Sequence, residues 1–206
     1  MGGSSNLVPV VSKIFCASSQ TALTVRKRPQ VVNGGGFVVL NGRNSVVFSV
    51  VGCGVLGANG ELILKDGDGA PILYIRKKGG MLQALSAHNR WRGYLMEFGR
   101  PSKPVFSLRE PRQLAVSSHR IKISVEPKGR NGDWDYAVEG SFDEKAFSIA
   151  DRKGNVVAKV GSGEEKAAVA ASKDFYRVVV QPGYDQAFVV GVIAVLDNIH
   201  GESTTC

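Results

Sequence analysis

Cysteine, histidine and long apolar runs are all scarce in this chain, and each scarcity removes a class of protein. The three cysteines, Cys16, Cys53 and Cys206, stand far apart and form no C-x-x-C or Cys/His spacing. They therefore indicate neither a disulfide framework nor a zinc site, and they fit a reducing compartment. The longest apolar run, Ala187 to Leu196, is shorter than the roughly 18 residues that a membrane-spanning helix requires. Acidic residues are rare in the first part of the chain. Residues 1–125 carry 17 Lys+Arg against 5 Asp+Glu, whereas residues 126–206 carry 9 against 13, giving +12 and −4. A positive field of that size favours anionic partners, although solvated basic strands would give the same count.

The hydrophobic and charged fractions are ordinary. Hydrophobic residues at 43% and charged residues at 21% exclude wholesale disorder, a coiled coil and a collagen-like chain. A chain of 206 residues is long enough to bury a sizeable core as one domain. Residues 1–20 are rich in Ser and small side chains, lack a basic leading region, and are interrupted by Pro9 and Lys13. They are a poor secretory signal and are expected to form a flexible tail, and residues 202–206 are read as a C-terminal tail. The residues between, 21–201, contain no linker and are read as a single domain.

From Ala22 onward, short Val/Ile/Phe/Tyr-rich runs alternate with turn signals, the pattern of an all-β sandwich or barrel. Phe37–Leu40 and Val46–Val50 flank Asn41-Gly42-Arg43-Asn44; Glu61–Lys65 and Pro71–Arg76 flank Asp66-Gly67-Asp68-Gly69; Ala146–Ala150 and Val156–Val160 flank Asp151-Arg152-Lys153-Gly154-Asn155. All are read as hairpins. Ile121, Ile123 and Val125 alternate with Arg120, Lys122 and Ser124, placing the first set in the core and the second toward water. Likewise Arg90 and Arg92 project together, opposite Trp91.

The last segment breaks this rhythm. Pro182-Gly183-Tyr184 ends a strand, Asp185 can cap, and Gln186–Ile199 is long enough for a helix of nearly four turns. Its residues Ala187 to Leu196, including Phe188, Val192, Val195 and Leu196, are apolar on every side. A helix without a polar face must be enclosed, and the soluble solution is a sheet closed around it. Its β-branched content keeps a strand as the competing assignment.

The chain resembles the plant LURP-one-related proteins of the tubby C-terminal-like superfamily, which also contains tubby domains and phospholipid scramblases. The resemblance spans roughly Ala22 to Gly201. It is carried by Leu23-Thr24-Val25, by Asn33-Gly34-Gly35-Gly36-Phe37-Val38-Val39, by Leu62 to Leu73, by Leu85 to Trp91, and above all by Asp174 to Asp185 with the apolar helix that follows. It implies a closed antiparallel β-barrel of about twelve strands around a buried hydrophobic C-terminal helix. Arg26 and Asn41 depart from the family's usual Trp and Asp.

The material for catalysis is thin. His88, in a loop before Trp91, His119 and His200 are the only imidazoles, and Gly-x-Ser-x-Gly, His-Glu-x-x-His and Walker patterns are missing. Asn33 to Gly36 precedes a strand and so reads as a turn instead of a phosphate loop. The Asp66 to Gly69 run has Lys77 where a calcium loop needs Glu. A non-enzymatic binding module is expected, with no cofactor and no bound metal.

The resemblance to tubby domains implies an anionic phospholipid or phosphoinositide ligand, held by Lys and Arg on the barrel exterior. The candidates are Arg76, Lys77, Lys78, Arg90 and Arg92, which gather near one end if their strands form a hairpin. The alternative is a protein-interaction scaffold in defence signalling, using residues 79–89 and 161–171 to hold signalling proteins. Nucleic-acid association has only the positive charge in its favour. A monomer in the cytoplasm is expected, peripheral at the plasma membrane or nuclear.

Overall fold

The computed structural model describes residues 7–28, 35–52, 60–78, 88–111, 120–127, 134–161, 175–200 and 204. Among them are twelve strands: β1 (Thr21–Lys27), β2 (Phe37–Leu40), β3 (Val46–Val51), β4 (Glu61–Asp66), β5 (Pro71–Lys77), β6 (His88–Glu97), β7 (Arg100–Pro111), β8 (Ile121–Val125), β9 (Tyr136–Ser141), β10 (Ala146–Asp151), β11 (Val156–Gly161) and β12 (Phe175–Val180). One helix follows, α1 (Gln186–Ile199). Each strand pairs antiparallel with its neighbours in sequence, and β1 closes the ring against β12 from Thr21↔Val180 to Arg26↔Phe175. The expected closed barrel around a C-terminal helix is thus observed.

One device builds the three hairpins read from the sequence. The side-chain oxygen of the first turn residue accepts two backbone N–H groups, two and four residues on. Asn41 takes Arg43 at 2.9 Å and Ser45 at 3.0 Å; Asp66 takes Asp68 at 3.1 Å and Ala70 at 2.8 Å; Asp151 takes Lys153 and Asn155, both at 2.9 Å. The fourth turn residue is left-handed in each, with φ of 62° at Asn44, 87° at Gly69 and 84° at Gly154. A bulge flanks each turn, the register shifting between Val39 and Leu40, Leu64 and Lys65, and Ile149 and Ala150. Asn41 does for its turn what a carboxylate does for the other two, so the departure from Asp there leaves the hairpin intact.

Alternation sorts the side chains. Leu23, Val25, Phe37, Leu64, Leu73, Ile75, Trp91, Phe106, Leu108, Ile123 and Ile149 point inward and are buried. They enclose α1, in which Phe188, Val192, Val195 and Leu196 are each exposed by 1% or less. Phe188 lies edge-on to Phe106 at 5.6 Å and tilted against Tyr136 at 5.0 Å. Each such burial stabilises the fold by about 1.5–3 kcal/mol, and enclosure on all sides decides for a helix over a strand, because a helix satisfies its own backbone. Asp185 caps it, its side chain accepting the Phe188 N–H at 3.1 Å. Ser124 departs from the expected alternation by being buried on the water side. No helix among the described residues is long and apolar enough to cross a membrane.

The expected tails need correction. Within residues 1–20, the described part begins at Leu7, and it is packed. Val8 bridges to Tyr184, Lys13–Phe15 forms a 3-10 turn, and the Phe15 ring meets Phe48 at 5.5 Å. Serine-rich composition suggested a free tail, but the backbone N–H groups of Val10, Val11 and Ser12 all find one buried acceptor, Asp185. Within residues 202–206, Thr204 is buried and donates its N–H to Asp197 Oδ2 at 2.7 Å. A Cβ on Gly52 would lie 2.6 Å from the Thr204 carbonyl oxygen, so only glycine lets this segment lie so close. His88 is corrected from loop to strand, where it pairs with Pro111 at the start of β6. His119 lies outside the described residues. His200 ends α1, its ring 2.8 Å from Asp143 and stacked on Phe142 at 4.8 Å.

Candidate functional site

The outer wall formed by β5, β6, β7 and β8 gathers the basic residues. In β5, Leu73 and Ile75 fill the core, which turns Tyr74 and Arg76 outward. In β6 the buried Trp91 likewise turns Arg90 and Arg92 outward. Register then aligns them: Arg76 lies opposite Arg92, Arg90 opposite Arg109, and Arg109 opposite Lys122. The Lys78 N–H donates to the Arg90 carbonyl at 2.7 Å, carrying the pairing one residue past β5.

Directly opposed like charges cost a few tenths to about 1 kcal/mol per pair. Part of that cost is offset locally. The Arg76 guanidinium lies 5.5 Å from the centre of the Tyr94 ring. A hydrogen bond to Tyr94 is the main reason why Arg76 is held above its usual pKa, with Glu61 adding to it. Tyr74 is pushed up to about 12, first by burial and then by its hydrogen bond to Glu61. Arg92 reaches Glu126 at 3.8 Å. Glu110, next to Arg109, turns to the other side of the sheet and accepts from Asn89 at 3.1 Å. Arg90 and Lys122 are exposed and Arg109 is half-buried; none has an ion pair among the described residues. Beside Arg76 a shallow groove of about 330 Å³ is lined by Tyr74, Tyr94, Pro101 and Ser102.

Of the residues proposed from sequence, Arg76, Lys78, Arg90 and Arg92 thus fall on one side of the sheet. Lys77 does not. It pairs with the inward-facing Trp91, and a Cβ on Gly60 would lie 3.1 Å from the Lys77 Cβ, so it points to the inner side at the barrel's end. Strand alternation forces this: neighbours in Arg76-Lys77-Lys78 cannot share a face. Arg109 and Lys122 are additions. Lys122 was visible in the alternation around Ile123, whereas Arg109 sits in a strand that Pro101, Pro104 and Pro111 disguise. Residues 79–87 and 162–171, proposed for protein contacts, lie outside the described residues.

The fold and sequence both have counterparts. An X-ray structure of a protein from Arabidopsis thaliana superposes with a TM-score of 0.67 at 20% identity, covering 93% of this chain and 98% of that one. Protein LURP-one-related 6 of Arabidopsis thaliana is 50% identical over 198 residues, 96% of this chain and 98% of its own length. Protein LURP-one-related 16 of the same plant is 46% identical over 205 residues, 96% and 95% of the two chains. The LURP-one-related family profile matches residues 21–197, the span from β1 into the last turn of the enclosed helix. With its barrel, its core helix and this match along nearly its whole length, the chain belongs to the LURP-one-related family.

Proposed function

We propose that the outer wall of β5 to β8 binds anionic phospholipid surfaces, phosphoinositides among them, and that the protein is a non-enzymatic module in plant signalling or defence. The observation that carries this reading is the cross-strand alignment of Arg76 with Arg92 and of Arg90 with Arg109 and Lys122. Each cation close to an anionic bilayer contributes about 1 kcal/mol, so a wall of them binds where a single residue would not. The rigidity of the closed sheet holds the charges in place, so little side-chain order is lost on binding beyond their own rotamers. The sole helix among the described residues is enclosed, so it offers nothing to a nucleic-acid groove, and the Tyr94 face is already covered by Arg76.

Sedimentation with neutral, phosphatidylserine-containing and phosphoinositide-containing liposomes, at low and physiological salt, tests the proposal. Binding to anionic liposomes, lost when Arg76, Lys78, Arg90, Arg92, Arg109 and Lys122 are all neutralised, is expected. Selectivity for phosphoinositides that survives physiological salt would mean a headgroup site, and loss with salt a diffuse field. Undiminished binding by the neutralised variant would move the site elsewhere, and no binding by the parent would discard the lipid reading for the protein scaffold.

A further inference from the structure

Strands β6 and β7 are joined by two residues only, Phe98 and Gly99, between the paired Glu97 and Arg100. Both have positive φ, 52° and 73°, the backbone of a two-residue type I′ turn. That turn is made readily by Asn-Gly or Gly-Gly, and a bulky residue in its first position is disfavoured. The Phe98 side chain is also fully exposed, at 104% of its reference area, above every other exposed large apolar residue described. The fold gains nothing from it there. An aromatic ring held in water, on a backbone that resists it, marks a position whose use lies outside the folded monomer.

Its surroundings say what that use is. Arg100 and Lys103 follow it on β7 and are exposed. The groove beside Arg76 and Tyr94 runs to Pro101 and Ser102, joining the hairpin tip to the basic wall. Glu97, directly before Phe98, is paired with Arg100 across the hairpin, so the local charges offset and the net positive charge comes from the wall. An apolar tip at the end of a basic wall is the arrangement of a peripheral element that enters a bilayer, the ring at the boundary of headgroups and acyl chains and the wall's charges at the phosphates.

We infer that the β6–β7 tip is a bilayer-insertion element, with Phe98 entering the acyl boundary while the cations of the wall, Arg76 and Arg92 among them, meet headgroup phosphates. This rests on the proposed lipid reading of the wall and adds an apolar contact that a membrane supplies and a free anion does not. It also sets the orientation: the barrel is tilted, with the hairpin tip entering first and the outer face of β5 to β8 turned toward the lipid.

The full chain and its Phe98→Asn variant, which suits the turn, are compared on phosphatidylcholine vesicles with and without phosphatidylserine, and on inositol hexakisphosphate. F98N is expected to weaken association with the anionic vesicles about tenfold, the scale of one buried phenyl group, without altering its salt dependence. Its binding of inositol hexakisphosphate should match the parent's, and its melting temperature should be equal or higher. As a second readout, the added emission of Phe98→Trp, taken against Trp91 and Trp134, should be quenched by acyl-brominated lipid. Equal vesicle binding by F98N and the parent, or no quenching in F98W, overturns the insertion and leaves the wall's reading standing. No binding of vesicles by the parent overturns the insertion and the lipid reading together, and binding of inositol hexakisphosphate alone would then leave only a site for free anions.

Discussion

Asp185 accepts the backbone N–H of Val11 at 2.7 Å while it caps α1 through Phe188, so one carboxylate joins two segments separated by most of the chain. Its Oδ2 also takes Val10 at 3.1 Å and Ser12 at 3.0 Å. Asp185→Ala leaves all these donors without an acceptor and removes the cap. A loss of about 3 kcal/mol in urea unfolding is expected, together with faster tryptic cleavage after Lys13. An unchanged midpoint and an uncut segment would show that Asp185 does not hold the segment down.

Gly93 and Gly191 both lie against core side chains, and they should respond in opposite ways. A Cβ on Gly93 would lie 2.4 Å from Phe106 Cε1, and Phe106 is wedged against Phe188, so Gly93→Ala should cost about 2 kcal/mol. A Cβ on Gly191 would lie 3.3 Å from Leu73 Cδ1, the movable end of a side chain. There the gain in helix propensity, about 1 kcal/mol, offsets the crowding, and Gly191→Ala should leave thermal stability within about 1 kcal/mol of the parent. Equal losses at both sites would mean that the helix, and not Phe106, sets the tolerance.

Alkaline pH should loosen the core through Tyr136. Burial against α1 pushes its pKa up from 10 to about 12. Between those values the unfolded chain has released the phenolic proton and the native one has kept it, so the native state binds more protons and stability falls as pH rises. Its contribution is complete below pH 10 and gone above about 12. Urea midpoints between pH 9 and 12 should decline more steeply for the parent than for Tyr136→Phe; parallel declines would exclude this residue.

On vesicles containing phosphatidylserine, Lys77→Ala should alter binding by less than about twofold, because its side chain leaves the wall. Replacing both Arg76 and Arg92 by Ala should weaken binding about thirtyfold. A Lys77 effect as large as that of the pair would contradict the assignment by strand alternation.

The legible parts of this fold are those set by local chemistry. The turns at Asn41, Asp66 and Asp151 state their own geometry, and the all-apolar run after Asp185 states both a helix and its enclosure, with bounds matching Gln186–Ile199. What the sequence hides depends on distant partners. The packing of residues 7–17 is set by Asp185, some 175 positions away. Strand β7 is masked by its prolines, and its tip shows no Asn-Gly because Phe98 stands in the turn. For the candidate wall, alternation revealed which side each residue takes, but Arg109 joined Arg90 and Lys122 only once the register was known.

The ring closed by β1 and β12 also fixes an order of events during synthesis. The neighbouring hairpins can form as they emerge, yet Thr21 must wait for Val180, and the helix that fills the centre is made after every strand. Until then the nascent sheet has an empty concave side and two open edges, both able to pair with another chain. Premature release of the polypeptide before residue 186 should therefore yield an aggregating product, not a weakened barrel, since the piece that makes the walls worth closing is the last to arrive.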